Sequence, residues 1–248
     1  MATGPLEVRQ GFGATLRKDT WWTEVVPVII LLGGFGVYAT LRAFEGKFYE
    51  WGPYLSPFYS PLIDRNHVWW PLSPALLILV FPLGFRTTCY YYRKAYYRSF
   101  FMDPPSCAVG ESKRNYCGET KFPFLLQNVH RYFLYAAIIF VFFLAKDAIK
   151  SYFFEDGFHI GVGSLVLTLN VVLLSLYTFG CHSWRHIVGG KLDCFSCASG
   201  IRHKAWERVS FLNERHMLFA WCSLVWVGFS DFYVRMVSSG VFRDFRIL

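Results

Sequence analysis

The sequence predicts an all-α polytopic membrane protein, a bundle of five transmembrane helices formed by residues 1–248 as a single domain. Three observations predict this. The 248 residues are 54% hydrophobic and 20% aromatic, and only 17% are charged, whereas soluble domains keep about a quarter of their residues charged. The apolar residues are bunched into runs close to the ~20 residues a spanning helix needs. Aromatic and basic residues flank those runs, as they do where helices meet the membrane interface.

The first span runs from Val25 to Leu41, with Trp21 and Trp22 as an interfacial belt. The first 23 residues carry Arg9, Arg17 and Lys18 and no early apolar core. No cleavable signal peptide is therefore expected, and the first hydrophobic segment stays as a span. Phe44–Val68 is rich in Pro and aromatics and too irregular to span, which predicts an outer cap, interfacial or re-entrant. The second span runs from Trp69 to Phe85 and extends helically towards Tyr92, with Pro82 as a kink. The third runs from Tyr132 to Ala148, with Lys146 and Asp147 snorkelling towards the headgroups. The fourth covers Ile160–Cys181 and the fifth Met217–Val237. The loops Arg86–Arg131 and Ser183–Arg215 are long and basic, and they hold short helical pieces such as Tyr90–Phe101. Loops of that length suit the docking of a partner. No internal repeat or low-complexity tract is visible.

Five crossings put the termini on opposite sides. Of the 25 Lys and Arg residues, 17 fall on the side of the N-terminus and the two long loops. The positive-inside rule then places the N-terminus in the cytoplasm and the C-terminus outside a cell (inner) membrane. A net charge of +8 meets anionic membrane lipids or an acidic partner here, and no nucleic acid is implied.

The chain has seven cysteines, an odd number that argues against a secreted disulfide scaffold. The metal-capable residues gather at the cytoplasmic face. Cys89 ends the second span, His130 starts the third, Cys181, His182 and His186 end the fourth, and His216 starts the fifth. Each alone has an ordinary reading as a solvated His or a small packing Cys, and Cys222 in the fifth span is read as a packing residue. His182 and His186 share a helix face and either bind a metal or face water. Cys194 and Cys197 make a lone CxxC near His203, a weak zinc signal. Cys107 and Cys117 sit in a Pro-containing loop and read as structural. Jointly, four helices present a ligand at one depth, where a bundle can hold a cofactor. A two-haem bundle would place His pairs on several helices inside the bilayer. The first two spans have none, and His67 and His159 lie at the opposite face, so haem is disfavoured. Two thiolates with two imidazoles match a Rieske-type [2Fe–2S] centre, although the soluble Rieske loop motifs are absent.

The stretches GFRTTCYYYRKAYYRSF (84–100), DPPSCAV (103–109), LLQNVHRYFLY (125–135), CHSWRHIVGG (181–190) and LNERHM (212–217), with YLSPFYSP (54–61) in the outer segment, span nearly the whole chain. They resemble the membrane anchor, cytochrome b-like in role, of an actinobacterial-type, haem-free succinate dehydrogenase (respiratory complex II). The resemblance implies partner flavoprotein and iron–sulfur subunits, the first oxidising succinate to fumarate and the second passing electrons towards the membrane. It further implies a Rieske-type [2Fe–2S] cluster and a site for a quinone, menaquinone or ubiquinone, in the anchor. On this reading Cys89 and Cys181 bind one iron and His130 and His216 the other, with His182 and His186 as alternates and Cys107 as the reserve thiolate. Tyr90, Arg93 and Trp184 are the candidates for the quinone head. The chain alone is expected to turn over no succinate. The competing readings are a haem b-binding anchor and a non-redox scaffold or transporter. Against the latter, Asp231, Lys146 and Asp147 are the charges in or beside spans, and Asp231 is expected to pair with Arg235 one turn on.

Overall fold

The computed structural model describes residues 19–63, 72–101, 128–190 and 200–247. The start of the second span, His67 and the cysteines 107, 117, 194 and 197 lie outside the described residues. Helix α1 covers Trp22–Glu45 and stops at Gly46, whose φ of 62° is the left-handed conformation that closes helices at low cost. A hairpin of β1 (Glu50–Trp51) and β2 (Tyr54–Leu55) follows, then a 3-10 turn at Pro57–Tyr59 capped by the Ser56 hydroxyl. The segment is irregular and does not span, as expected, and its Tyr54, Ser56, Phe58 and Tyr59 are buried.

Helices α4 (His130–Lys150), α5 (Val162–Phe179) and α8 (His216–Ser238), like α1, are long and apolar enough to cross a membrane. The second span differs from the expectation. Helix α2 (Pro74–Thr87) carries Pro82 within it but does not run on to Tyr92. It breaks at Thr88–Cys89, and α3 (Tyr90–Tyr96), continued by a π turn at Tyr97–Phe101, leaves at 83°. The bent pair α2–α3 therefore makes the fifth candidate crossing. The fourth span also ends early, at Phe179, and a break at Gly180–Cys181 leads into α6 (His182–Gly189). Helix α7 (Gly200–Glu214) packs back on α6, so most of the expected long loop is a helical hairpin. A short hairpin, β3 (Phe153–Phe154) with β4 (Gly157–Phe158), joins α4 to α5.

The bundle packs chiefly through α5 against α8 and α4, with α2 against α4. The end of the bundle that carries the β1–β2 cap is fastened by charge. Asp231, fully buried on α8, accepts from Arg42 Nε at 2.8 Å, from the Tyr38 hydroxyl at 2.6 Å and from the Ser56 hydroxyl. The expected Asp231–Arg235 pair is thus replaced by one between helices, and Arg235 binds Glu45 of α1 instead, at 3.1 Å. Asp147 turns inward and accepts from the Ser60 hydroxyl at 2.5 Å, while Lys146 is exposed. Cys222 is exposed on the outside of α8, not packed in the core.

Candidate functional site

The four cysteine and histidine positions on different helices converge at the end of the bundle opposite the Asp231 network. Cys89 Sγ lies 3.6 Å from His216 Nε2, and His130 Nε2 lies 3.1 Å from Cys181 Sγ. Cys89, Cys181 and His216 are each at most 2% exposed. Among the described residues no three His, Cys, Asp or Glu side chains are grouped to hold one metal ion. The cage is made of two Cys–His pairs.

Local sequence explains how each donor is held. Cys89 precedes α3 and Cys181 precedes α6, with nearly equal backbone angles (φ −69°, ψ 133° and φ −66°, ψ 142°). The turns match bond for bond. Cys89 N donates to Arg86 O and Cys181 N to Thr178 O, while Arg93 N donates to Cys89 O and Arg185 N to Cys181 O. At such a position the sulfur faces free amides at the start of the next helix, those of Tyr91 and Tyr92 for Cys89 and of Ser183 and Trp184 for Cys181. Burial of both sulfurs outweighs these amides and opposes the thiolate, and none of the amides closes a full capping hydrogen bond. His130 and His216 are the first residues of α4 and α8.

One turn before each cysteine an aromatic ring backs an imidazole. Phe85 stacks on His130 (centroids 4.8 Å apart, planes at 5°), and Tyr177 stacks on His216 (4.9 Å, 12°). His130 Nδ1 lies 2.8 Å from the Thr88 hydroxyl. That hydroxyl donates its single proton to Gly84 O at 2.7 Å. With that proton so placed, the hydroxyl can accept from Nδ1–H of His130, which leaves the Nε2 lone pair facing Cys181. Arg86 reaches in beside the cage. It donates to the Tyr92 hydroxyl, to Ala220 O at 3.3 Å and to Ser223 Oγ at 3.2 Å, and its guanidinium sits 4.9 Å from the Tyr177 ring centre.

Of the six metal candidates read from the sequence, Cys89 meets His216 and Cys181 meets His130. His182 and His186 stand apart on α6, both exposed, with their Nε2 atoms 3.0 Å from each other. Burial, with the neighbouring His186 and Arg185, holds His182 below the ordinary histidine value. Tyr90 is 60% exposed with the Arg93 guanidinium 5.2 Å from its ring centre, and Trp184 packs edge-on to Phe179. His159 binds Asp156 and His203 binds Glu207, both at 3.3 Å. Sequence reasoning missed Phe85, Arg86, Thr88 and Tyr177. Their signal was present: Phe85-x3-Cys89-x2-Tyr92-Arg93 and Tyr177-x3-Cys181-x2-Trp184-Arg185 share one spacing.

Behind Phe85 and Tyr177, away from the cage, an apolar cavity of about 340 Å³ runs between α1, α2, α4 and α5. Its wall includes Phe44, Val80 and Leu83, which are exposed on the lipid-facing surface. Arg86, Thr40 and Thr178 are polar residues in its lining, and Phe85 and Tyr177 separate it from the two imidazoles.

Comparison with known proteins was made on this geometry. The family described as actinobacterial succinate dehydrogenase subunit SdhC matches residues 23–240. Among solved structures, a chain of the Mycobacterium smegmatis Sdh1 complex in the apo form is 44% identical, with a TM-score of 0.86 over 94% of each chain. No curated protein matches.

Proposed function

The chain belongs to the actinobacterial succinate dehydrogenase subunit SdhC family, the membrane anchors of that complex, and from this premise we propose that it relays electrons from its partners to a quinone by means of a Rieske-type [2Fe–2S] group at the four-residue cage. As an anchor subunit it partners the flavoprotein and iron–sulfur subunits and is embedded in the membrane by several crossings. The observation that carries the proposal is the meeting of two buried thiols and two imidazoles from separate helices, with one imidazole held by the Thr88 hydroxyl at Nδ1.

The donor set fits the group. Cys89 and Cys181 would hold one iron as thiolates, and His130 and His216 the other through Nε2. When bound, such a group supplies one-electron transfer at a potential raised by its imidazole ligands. Thr88 keeps His130 in register. Phe85 and Tyr177 shield the imidazoles from water and form the wall towards the cavity. A quinone takes up two electrons and two protons to become quinol, and its ring needs a flat, largely apolar pocket with a few polar groups. Tyr90, Arg93 and Trp184 on the inner face would serve a quinone approaching beside α3 and α6. The cavity favours a second approach from the lipid, because its wall touches both imidazoles. The N-terminus and the long segments between spans would face the cytoplasm, where the partners dock, leaving the C-terminus outside.

Electron paramagnetic resonance of the dithionite-reduced complex tests the proposal. A Rieske-like signal with low average g is expected, and it should be lost in His130→Ala/His216→Ala. A signal that survives this double change overturns the ligand assignment. Loss only in His182→Ala/His186→Ala moves both imidazoles to α6. A haem band in the reduced-minus-oxidised optical spectrum of the purified complex would sink the haem-free reading.

A further inference from the structure

Arg86 is a cation among neutral partners. Its guanidinium donates to the Tyr92 hydroxyl, the Ala220 carbonyl and the Ser223 hydroxyl, and lies over the Tyr92 and Tyr177 rings. Among the described residues no carboxylate lies within ion-pair distance of it. A charge held inside a bundle with no counter-ion is costly, so its retention needs a negative partner. Both Cys89 and His216 lie within its electrostatic reach. Tyr177 extends the arrangement. Its ring lies between Arg86 and His216, and its fully buried hydroxyl has no partner in hydrogen-bonding geometry, with Cys89 as the side chain it faces at longer range.

We propose that Arg86 is the counter-charge for the transferred electron, a positioning residue that sets the redox potential of the cage, with Tyr177 as its relay. The proposal rests on the cage holding a [2Fe–2S] group. The charges balance simply. Two ferric ions, two sulfides, two thiolates and two neutral imidazoles sum to zero, and the electron delivered by the succinate-oxidising subunits makes the site anionic. A fixed cation beside it stabilises the reduced form and leaves the neutral oxidised form nearly untouched. The corresponding position of the second half-site is Thr178, so the charge stands on one side of the cage only. That side borders the cavity, whose lining includes Arg86.

The test is a redox titration of the intact complex followed by electron paramagnetic resonance, on wild type, Arg86→Gln, Arg86→Lys and Tyr177→Phe. Arg86→Gln keeps one amide donor group of two N–H bonds but no charge. Its reduction should be disfavoured about tenfold, a fall of about 59 mV for a one-electron couple. Arg86→Lys should stay near wild type, and Tyr177→Phe should fall by a smaller amount. An Arg86→Gln complex with an intact signal at the wild-type potential overturns the proposal, and so does Arg86→Lys falling as far as Arg86→Gln. If Arg86→Gln fails to assemble, an unshifted Tyr177→Phe potential is the refuting result. A wild-type complex without any such signal defeats the [2Fe–2S] reading itself, a failure distinct from an unmoved potential.

Discussion

Removing the Asp231 carboxylate should unfasten the end of the bundle that carries the β1–β2 cap without disturbing the cage. Asp231→Ala deletes the acceptor of Arg42 Nε (2.8 Å), Arg42 Nη2 (3.4 Å), the Tyr38 hydroxyl (2.6 Å) and the Ser56 hydroxyl. Arg42, 2% exposed, then keeps Glu45 as its acidic partner, and Glu45 is already shared with Arg235. Stranding one member of a buried pair costs about 3–5 kcal/mol, and a comparable loss is expected in detergent-induced unfolding of the complex. Arg42→Met/Asp231→Leu removes both charges and replaces them with apolar volume, so it should recover most of the loss. The cage lies fifteen residues away along α8, about 22 Å at 1.5 Å per residue. Its resonance signal should therefore persist in every folded variant. A loss below about 1 kcal/mol for Asp231→Ala, or a double variant as unstable as the single one, would refute the view that unpaired charge dominates the effect.

The remaining predictions concern the cage and the C-terminal tail. Thr88→Val removes the acceptor of His130 Nδ1–H, and loss of such an outer partner should weaken iron retention about 10–100-fold, measured as iron released to a chelator. Gly84→Ala would put a Cβ 2.2 Å from Phe133 Cε1. Overpacking of α2 against α4 should cost about 1–3 kcal/mol in thermal melts and broaden the signal of the adjacent His130 site. Asp244 accepts from the hydroxyls of Tyr54 (2.6 Å) and Tyr233 (2.5 Å) and from Gly163 N (3.0 Å). Asp244→Asn should cost about 1.5–3 kcal/mol and speed hydrogen exchange of the Ile247 and Val162 amides, which donate to Ile160 O and Phe245 O.

The spans were legible because lipid demands long apolar runs, and residues such as Ile29, Val37, Phe142 and Val225 show that side of the pattern, being exposed in the fold. The two Cys–His pairs were within reach of the sequence because Cys and His at helix ends are chemically conspicuous. What the sequence hid lay at the breaks. A run such as Phe85–Tyr92 reads as continuous helix by hydropathy, since the bend depends on Cys89 leaving helical angles, which no apolar period records. The Asp231 partner was missed for a related reason. Arg235 is the near neighbour in sequence, but α1 brings Arg42 to the same depth, and only packing decides between them.

The two breaks also explain why the cage belongs to the assembled bundle and to neither half of it. In each half an aromatic residue, a cysteine one turn later and the bend after it repeat the same backbone bonds. Each half also stacks its aromatic ring on an imidazole, Phe85 on His130 and Tyr177 on His216. The sulfurs, however, cross over: Cys89 meets His216, and Cys181 meets His130. Helices α2–α4 therefore contribute Cys89 and His130, neither of which finds its sulfur–nitrogen partner within its own half. The same holds for Cys181 and His216 on α5–α8. A cofactor binding such a set binds the packed bundle and not its separate parts. Its binding free energy is then added to helix association by mass action, which makes loading of the cage a step in completing the fold.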